Sequence, residues 1–288
     1  MPRTAGSLWT DASARLAEIG AQRPEWSGWI GLLGEVARYE SRVSGRESRV
    51  ASRGSGLGSR EAPLLQHRVL RLDGAEAQEL FVHLVDKASD LEGGASLSRY
   101  RPSRAEVLEL IGAAARQDQS AIAAIALTKN LDGGALESVA HLAALPVLRA
   151  AGGELLDQIP EYWPHGYCPV CAAWPLLAER RGLDRSRRLR CGRCAGEWEM
   201  EWLLCAYCGE RNHQKLGSLV LEEAGDTLKV ETCASCNGYL KSFATLQAIP
   251  AFELLLKDLE TVELDLAALE RGYKKPAGGG ITLDVEVR

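Results

Sequence analysis

The residues most clearly suited to a chemical role are eight cysteines, which form four C-x-x-C pairs. The pairs are Cys168 and Cys171, Cys191 and Cys194, Cys205 and Cys208, and Cys233 and Cys236, and the chain has no other cysteine. A C-x-x-C turn presents two thiolates to one point, so two such turns supply the four ligands of a tetrahedral metal ion. Thioredoxin-type redox exchange fits less well, because such enzymes carry a single pair that opens a helix in an α/β pattern. The cysteines therefore predict metal ligation.

The segment between the second and third pairs decides how many ions are bound. It reads AGEWEMEWLL (195–204), in which Trp198, Met200 and Trp202 alternate with glutamates. Alternation with a period of two is typical of a strand with one buried face. An extended strand of this length would separate its flanking cysteines by roughly 35 Å. Both pairs could not then reach one ion, because Zn–S bonds are only about 2.3 Å long. We expect two mononuclear sites.

The remaining spacings assign the ligands to these two sites. Site 1 takes Cys168, Cys171, Cys191 and Cys194, and site 2 takes Cys205, Cys208, Cys233 and Cys236. The intervals of 19 and 24 residues between the pairs of each site lie within or just above the range typical of zinc sites with four cysteine ligands. In site 2 the interval also predicts a β-hairpin, because KLGSLVLEE and TLKVE flank the turn sequence Ala224-Gly225-Asp226. Four thiolates complete a tetrahedral shell, which favours a structural metal over a catalytic one.

The identity of the metal stays open between iron and zinc, since both accept four thiolates in a tetrahedron. The segment GYCPVC (166–171) is similar to a rubredoxin knuckle, which favours iron. We expect two mononuclear iron sites, each with four cysteine ligands, and two zinc ions are the alternative.

The chain is nearly half hydrophobic and has a modest net negative charge. The 288 residues are 46% hydrophobic, so the chain can bury a core, and their net charge of −5 argues weakly against a dedicated nucleic-acid binder. The first twenty residues lack the unbroken apolar run of a secretory signal. No segment approaches the roughly 20 consecutive apolar residues of a membrane span. We therefore expect a cytoplasmic location, in which structural disulfides are rare.

Apolar periodicity predicts an α+β protein that is mainly α. Residues 1–160 repeat apolar positions at intervals of three and four, which is typical of a helical bundle. A Gly/Ser/Arg-rich stretch at about 44–62 interrupts this pattern, and we predict a mobile linker there because it has little to bury.

The cysteine region and the end of the chain follow the bundle. Two rubredoxin-like or zinc-ribbon-like lobes are predicted at 161–203 and 204–246. One amphipathic helix is predicted within 247–275, and the glycine-rich tail at 276–288 is predicted to be loose.

Seven arginines lie in ERRGLDRSRRLRCGRC (179–194), around the second cysteine pair. A divalent ion with four thiolates carries a net charge of −2, which these arginines would partly offset. Arg187, Arg188 and Arg190 are interpreted as exposed groups for bidentate contacts with carboxylates of a partner protein. Alternatively, they are only solvated in a hairpin, and the helices make the contacts with a partner.

The ordered motifs resemble those of the formate dehydrogenase accessory protein FdhE. The likeness is carried by YCPVC (167–171), RCGRCAGEW (190–198), CAYCGERNHQKLGSL (205–219) and ETCASCNGYLK (231–241), and it extends to ARLAEIGAQRP (14–24) and ALERGY (268–273). Two features depart from the family pattern, namely Ala172, where glycine is common, and the glycine-rich ending after Tyr273.

The resemblance implies a cytoplasmic assembly factor rather than an enzyme. Such a factor binds the catalytic subunit of a respiratory formate dehydrogenase during its maturation. The resemblance also implies that the eight cysteines ligate metal in a rubredoxin-like region linked to iron.

Two other functions stay open on the residues alone. A rubredoxin-type electron carrier would need iron that cycles reversibly near the surface. A zinc-ribbon nucleic-acid-binding protein would use the arginines of 179–194, although the net charge of −5 disfavours it. The sequence contains no phosphate loop, zinc-protease helix or nucleophile motif. We therefore predict no catalytic residue and no enzymatic activity.

Overall fold

The computed structural model describes residues 5–43, 49–52, 62–220, 225 and 227–288. The chain forms two compact units. The helical unit comprises Met1–Gly56, His67–Glu154 and Leu283–Arg288, and the cysteine unit comprises Leu57–Gln66 and Leu155–Thr282. The predicted α+β class with predominating helix is confirmed.

In the part of the helical unit that the structure describes, there are six long α-helices and a small sheet. The helices are α1 (Ala5–Gln22), α2 (Ser27–Val43), α3 (Gly74–Ser89), α4 (Arg104–Arg116), α5 (Gln119–Lys129) and α6 (Gly133–Leu155). The strands are β1 (Val50–Ser52), β2 (Arg68–Leu70) and β9 (Val285–Val287), in the order β1-β2-β9.

Local sequence signals fix where these helices begin. Asp73 caps α3, because its carboxylate accepts hydrogen bonds from the N–H groups of Ala75 and Glu76 at 2.8 and 3.0 Å. Ser103 and Glu106 form a reciprocal capping box at the start of α4. These caps satisfy N–H groups that the first helical turn would otherwise leave unpaired.

One helical segment, Gly133–Gln158, is long and apolar enough to cross a membrane by length and composition alone. In its most apolar window, 61% of the residues are buried inside the protein, as in the core helix of a soluble protein.

The prediction of a loose tail at 276–288 is wrong for its last residues, because 285–287 form β9. This strand pairs in parallel with β2, with Arg68 opposite Val285. Leu283 and Val285 are each 1% exposed. The physical reason is the alternation in ITLDVEV (281–287), which gives one face of an extended segment enough apolar surface to bury.

The predicted linker at about 44–62 falls mostly outside the described residues, which exclude 44–48 and 53–61. Within the described part, β1 pairs antiparallel with β2, with Val50 opposite Leu70.

Among its described residues, the cysteine unit contains one six-stranded sheet and two α-helices. The strands are β3 (Leu177–Arg181), β4 (Ser186–Arg190), β5 (Glu197–Glu199), β6 (Leu216–Val220), β7 (Leu228–Cys233) and β8 (Gly238–Thr245), and the helices are α7 (Glu253–Glu260) and α8 (Val262–Glu270). The order is β5-β4-β3-β8-β7-β6. Each half is an antiparallel meander, and β3 pairs in parallel with β8, with Leu177 opposite Lys241. The two predicted lobes therefore share one continuous sheet.

The single C-terminal helix predicted from periodicity is divided at Thr261, between α7 and α8. The Thr261 hydroxyl donates to the carbonyl of Lys257 at 2.7 Å, a side-chain bond to the preceding turn that competes with regular helix. Leu254 packs with Leu177, whereas Leu264 packs with Val230. The predicted apolar face thus covers the sheet, but over two helices.

The alternation in 195–204 predicts a longer strand than the one that forms. Only 197–199 form a strand, β5, in which Trp198 is 2% exposed. The pattern then fails, because Trp202 is 42% exposed.

Candidate metal centres

Site 1 consists of four sulfurs that lie within 4.8 Å of one another. The Sγ atoms of Cys168 and Cys194 are 3.5 Å apart, and those of Cys171 and Cys191 are 3.4 Å apart. All four residues are at most 2% exposed. The structure thus brings together the four cysteines that the spacing assigns to this site.

Site 2 has the same internal geometry but a more open position. The Sγ atoms of Cys205 and Cys236 are 3.7 Å apart, as are those of Cys208 and Cys233. Cys205 and Cys233 are buried, Cys236 is partly exposed and Cys208 is exposed. The four sulfurs that the spacing assigns to site 2 thus also lie together, although the strand between the two groups is shorter than predicted.

The turns that hold the sulfurs follow one pattern. In three of the four turns the first cysteine donates its backbone N–H to the carbonyl five residues later: Cys168 to Ala173, Cys191 to Gly196, and Cys205 to Glu210, at 2.8, 2.9 and 3.0 Å. In the fourth turn, Cys233 is paired with Gly238, also five residues later, in the register of β7 and β8. This closed turn keeps both cysteines of a pair on the same side.

Backbone N–H groups also point at the sulfurs. The N–H groups of Val170, Arg193 and Tyr207 each lie 3.4 Å from the sulfur of the first cysteine in their own turn. Such bonds stabilise thiolates more than thiols, because a charged acceptor binds an N–H more strongly.

The residue after each pair has a left-handed backbone. The φ angles are 58° at Ala172, 59° at Ala195, 72° at Gly209 and 54° at Asn237. Glycine and asparagine adopt this conformation at low cost, whereas alanine pays a steric penalty. The alanine that departs from the family pattern at 172 therefore keeps the common turn instead of changing it.

The geometry fits a tetrahedral ion. Four sulfurs at about 2.3 Å from a central metal lie about 3.8 Å apart, close to the 3.4–3.7 Å separations observed. Both groups of four cysteines could hold a metal ion. The ligand set suits iron and zinc alike and does not distinguish them.

The pKa values of the thiols shift in opposite directions within site 1 and upward at Cys236 in site 2. Burial raises the pKa of the Cys168 thiol well above its usual value, and hydrogen bonds from neighbouring sulfurs hold the pKa of Cys191 well below it. In site 2, burial raises the pKa of Cys236 to about 11. A metal ion bound at either site would deprotonate the thiols that coordinate it.

An aromatic chain joins the two sites, a feature that the cysteine spacing did not predict. Tyr167 precedes Cys168, and Tyr207 lies inside the first turn of site 2. The rings of Tyr167 and Trp174 are 6.2 Å apart, and those of Trp174 and Tyr207 are 5.5 Å apart, both edge-on. The sequence signal was the tyrosine in or beside the first cysteine pair of each site.

Gly166 brings the backbones of the two sites close together. A Cβ atom added at Gly166 would lie 1.5 Å from the carbonyl oxygen of Ala206. Only glycine permits this approach.

The structure corrects the interpretation of the arginines as exposed. Arg187 is 3% exposed, and its guanidinium lies 2.7 Å from the Glu231 carboxylate. Arg190 is 4% exposed and pairs with the buried Glu179. Burial of their long apolar stems and pairing of their charges explain why these arginines face inward. Of the three, only Arg188 stays partly exposed, with a side chain 34% exposed and 3.0 Å from Glu199.

A cavity of about 230 Å³ adjoins site 2. Its wall includes Trp202, Leu204, Cys205, Leu216, Cys233 and Leu240. At its rim Trp202 is 42% exposed and carries the Lys229 ammonium over its ring at 5.5 Å from the centroid, while Leu203 is 62% exposed.

Comparison with known proteins points to one family. Residues 203–280 match the family model described as FdhE, C-terminal domain. A protein FdhE homolog of Stutzerimonas stutzeri is 39% identical over 125 residues, which cover 42% of this chain and 40% of the relative. A protein FdhE homolog of Aquifex aeolicus is 31% identical over 121 residues, which cover 40% of this chain and 41% of the relative. The matched region thus spans about two fifths of the length of these curated relatives.

Similarity of fold extends further than similarity of sequence. The crystal structure of the FdhE protein from Pseudomonas aeruginosa matches with a TM-score of 0.57 at 22% identity, and the match covers 99% of this chain and 98% of that one. The resemblance to FdhE that the cysteine motifs indicate is confirmed.

Proposed function

We propose that this chain is an accessory protein that binds the catalytic subunit of a formate dehydrogenase during its maturation in the cytoplasm. The observation that carries the proposal is the match of 203–280 to the FdhE C-terminal domain, because this stretch contains all of site 2 and the helices packed beside it. The FdhE resemblance of the flanking motifs supports the same role.

The chemistry of the two sites supports binding rather than catalysis. Four protein thiolates complete a tetrahedral shell, so a resident metal ion offers no open position to a substrate. The ions stabilise the turns, and the turns hold the surface around them in place. The chain therefore acts as a binding protein and not as an enzyme.

The surface that suits a partner lies beside the cavity at site 2. Trp202 and Leu203 are exposed apolar side chains at its rim, and exposed aromatic residues over a groove often supply most of the binding energy at protein interfaces. Arg188 adds a partly exposed cation on β4. The buried Arg187 and Arg190 serve the sheet rather than the partner.

Capture of the purified catalytic subunit tests this proposal. Immobilised wild-type protein should retain the subunit, and Trp202→Ala should weaken the affinity by about 30-fold, which corresponds to about 2 kcal/mol. Leu183→Ser is a matched control, since Leu183 is 96% exposed in the turn between β3 and β4. Its affinity should equal that of the wild type.

Two outcomes would oppose the proposal. Equal binding by Trp202→Ala and Leu183→Ser would remove the cavity rim from the interface. Failure of the wild type to bind, with both metals retained, would remove the assembly role itself.

We further propose that both sites hold iron, in line with the rubredoxin-like knuckle at 166–171. Anaerobically purified protein should then contain iron and absorb visible light through its iron–thiolate bonds. A colourless protein with two zinc ions per chain would overturn this assignment and leave the binding role intact.

A rubredoxin-type electron carrier is the second candidate, favoured by the aromatic chain from Tyr167 through Trp174 to Tyr207. If the sites contain iron, this chain places polarisable rings between them. A reversible redox titration that reports both sites would support this function, and Trp174→Leu should then slow electron exchange between them. Irreversible bleaching would exclude it.

A further inference from the structure

The two metal sites differ sharply in how far solvent can reach their sulfurs. The exposed fractions in site 1 are 0% for Cys168, Cys171 and Cys191 and 2% for Cys194. In site 2, Cys208 is exposed. Because reactive cysteines must be reached by their reaction partners, this difference separates the chemistry of the two sites.

Three backbone contacts cover the first turn of site 1. The N–H groups of Leu64 and Leu65 donate to the carbonyls of Pro169 and Val170 at 2.8 and 3.0 Å. In addition, the N–H of Gly280 donates to the carbonyl of Ala172 at 2.8 Å. Segments distant in sequence therefore enclose this turn.

The interior of site 1 is equally tight. A Cβ atom added at Gly196 would lie 3.3 Å from the sulfur of Cys194 and 3.4 Å from that of Cys168. No room remains between this backbone and the sulfurs for an incoming reagent.

Site 2 is open on two sides. Cys208 is exposed and is followed by the exposed Gly209. A Cβ atom added at Gly209 would have no other atom within 4 Å. From another direction, Cys205 and Cys233 line the cavity of about 230 Å³. An external group can approach the sulfurs of this site without unfolding the turn.

We propose that site 2 is a reactive metal centre in which the Cys208 thiolate attacks small disulfides, whereas site 1 is inert and structural. This inference does not depend on the proposed partner. It assigns to Cys208 a role as a modification site, with low-molecular-weight disulfides as its substrate class.

The reaction balances as a two-electron exchange. The Cys208 thiolate attacks one sulfur of the disulfide, forms a mixed disulfide and expels one thiolate. The sulfur of Cys233, 3.7 Å from that of Cys208, then attacks the Cys208 sulfur and expels the second thiolate. Two cysteine thiolates are oxidised to one disulfide, the reagent is reduced to two thiolates, and the ion leaves because only two ligands remain.

The test uses the metal-loaded full chain and 5,5′-dithiobis(2-nitrobenzoate) under anaerobic conditions. One ion per chain should be lost in the first phase, with two coloured thiolates released by the disulfide that expels it and up to two more as the freed Cys205 and Cys236 react in turn. Peptide mapping should place the new disulfide among the cysteines of site 2, while the ion in site 1 is retained. Elemental analysis after desalting counts the ions.

Two variants at equivalent positions sharpen the test, since each removes the second cysteine of the first turn in its site. Cys171→Ser should retain the rapid phase at site 2. Cys208→Ser should lose this rapid phase. If Cys208→Ser no longer binds an ion in site 2, the peptide map of the wild-type protein decides whether the disulfide forms in site 2. Loss of the site 1 ion first, simultaneous loss of both ions, or no reaction by the folded protein when the denatured protein reacts would each overturn the proposal.

Discussion

The guanidinium of Arg187 on β4 lies 2.7 Å from the carboxylate of Glu231 on β7, although β3 and β8 separate these strands in the sheet. A second nitrogen of the same group donates to the carbonyls of Glu201 and Leu204 at 2.9 and 3.2 Å. Arg187 thus ties the two halves of the sheet to the segment that leads into site 2.

Replacing Arg187 with alanine should therefore destabilise the cysteine unit. Removing one partner of a buried ion pair leaves the other charge unpaired, at a typical cost of about 3 kcal/mol. Arg188→Ala, next in sequence and paired only at the surface, should change the free energy of unfolding by less than about 0.5 kcal/mol. Denaturant titration of both variants measures the difference. Equal stabilities would mean that the Arg187 pair contributes nothing.

The cysteine grouping could be predicted because it depends on short intervals. A C-x-x-C turn is local, and the distance between the second and third pairs bounds which turns can share an ion. The burial of Arg187 could not be predicted in this way, because its partner lies 44 residues away. The arginine run looks the same in sequence whether it faces solvent or a buried glutamate.

Long-range strand pairing explains the other differences. β9 joins β2 across more than 200 residues, as the register of Val285 with Arg68 shows. The parallel pairing of β3 with β8 merges two hairpins that each look complete in the sequence. Local periodicity identifies a strand but not its partner, so both features emerge only in the folded chain.

The two sites should bind metal independently. Replacing Cys168 and Cys171 with serine removes two of the four ligands of site 1 and none of site 2. Elemental analysis should then show one ion per chain in place of two. Retention of both ions, or loss of both from a variant whose sheet is still folded, would contradict separate sites.

Removing both metals should unfold the cysteine unit before the helical unit. The cysteine turns of 191–194 and 233–236 connect β4 to β5 and β7 to β8, and structural metal sites supply folding free energy directly. After treatment with a chelator, limited proteolysis should cut within 161–246, while circular dichroism retains most of its helical signal. Parallel loss of helix and metal would show that the helical unit also depends on the ions.

Acid should weaken the helical unit through Glu106. The hydrogen bond from Lys129, at 2.7 Å, and that from the Ser103 backbone lower the pKa of the Glu106 carboxyl below its usual value. A carboxyl with a lowered pKa in the folded state stabilises the fold above its unfolded value of about 4.3, and this contribution is lost as the pH falls through the folded value.

Glu106→Gln, which keeps a capping side chain but not the charge, should therefore lose less stability than the wild type on acidification. Denaturant unfolding followed by helical circular dichroism at pH 7 and at pH 4 or below makes the comparison. Acid release of metal affects both proteins equally, so the difference between them isolates Glu106. Identical pH dependence would rule out this contribution.

The last prediction concerns two adjacent residues of site 1 that should respond to substitution in opposite directions. Ala195 has a φ of 59°, so Ala195→Gly should relieve left-handed strain and stabilise the folded state by about 1 kcal/mol. Gly196 lies against the sulfurs of Cys194 and Cys168, so Gly196→Ala should push a methyl group into the ligand cluster and weaken metal retention. Competition with a chelator and denaturant unfolding measure both effects. If Gly196→Ala held its ion as firmly as the wild type, the tight enclosure of site 1 would be wrong, and with it the reason for the inertness of this site.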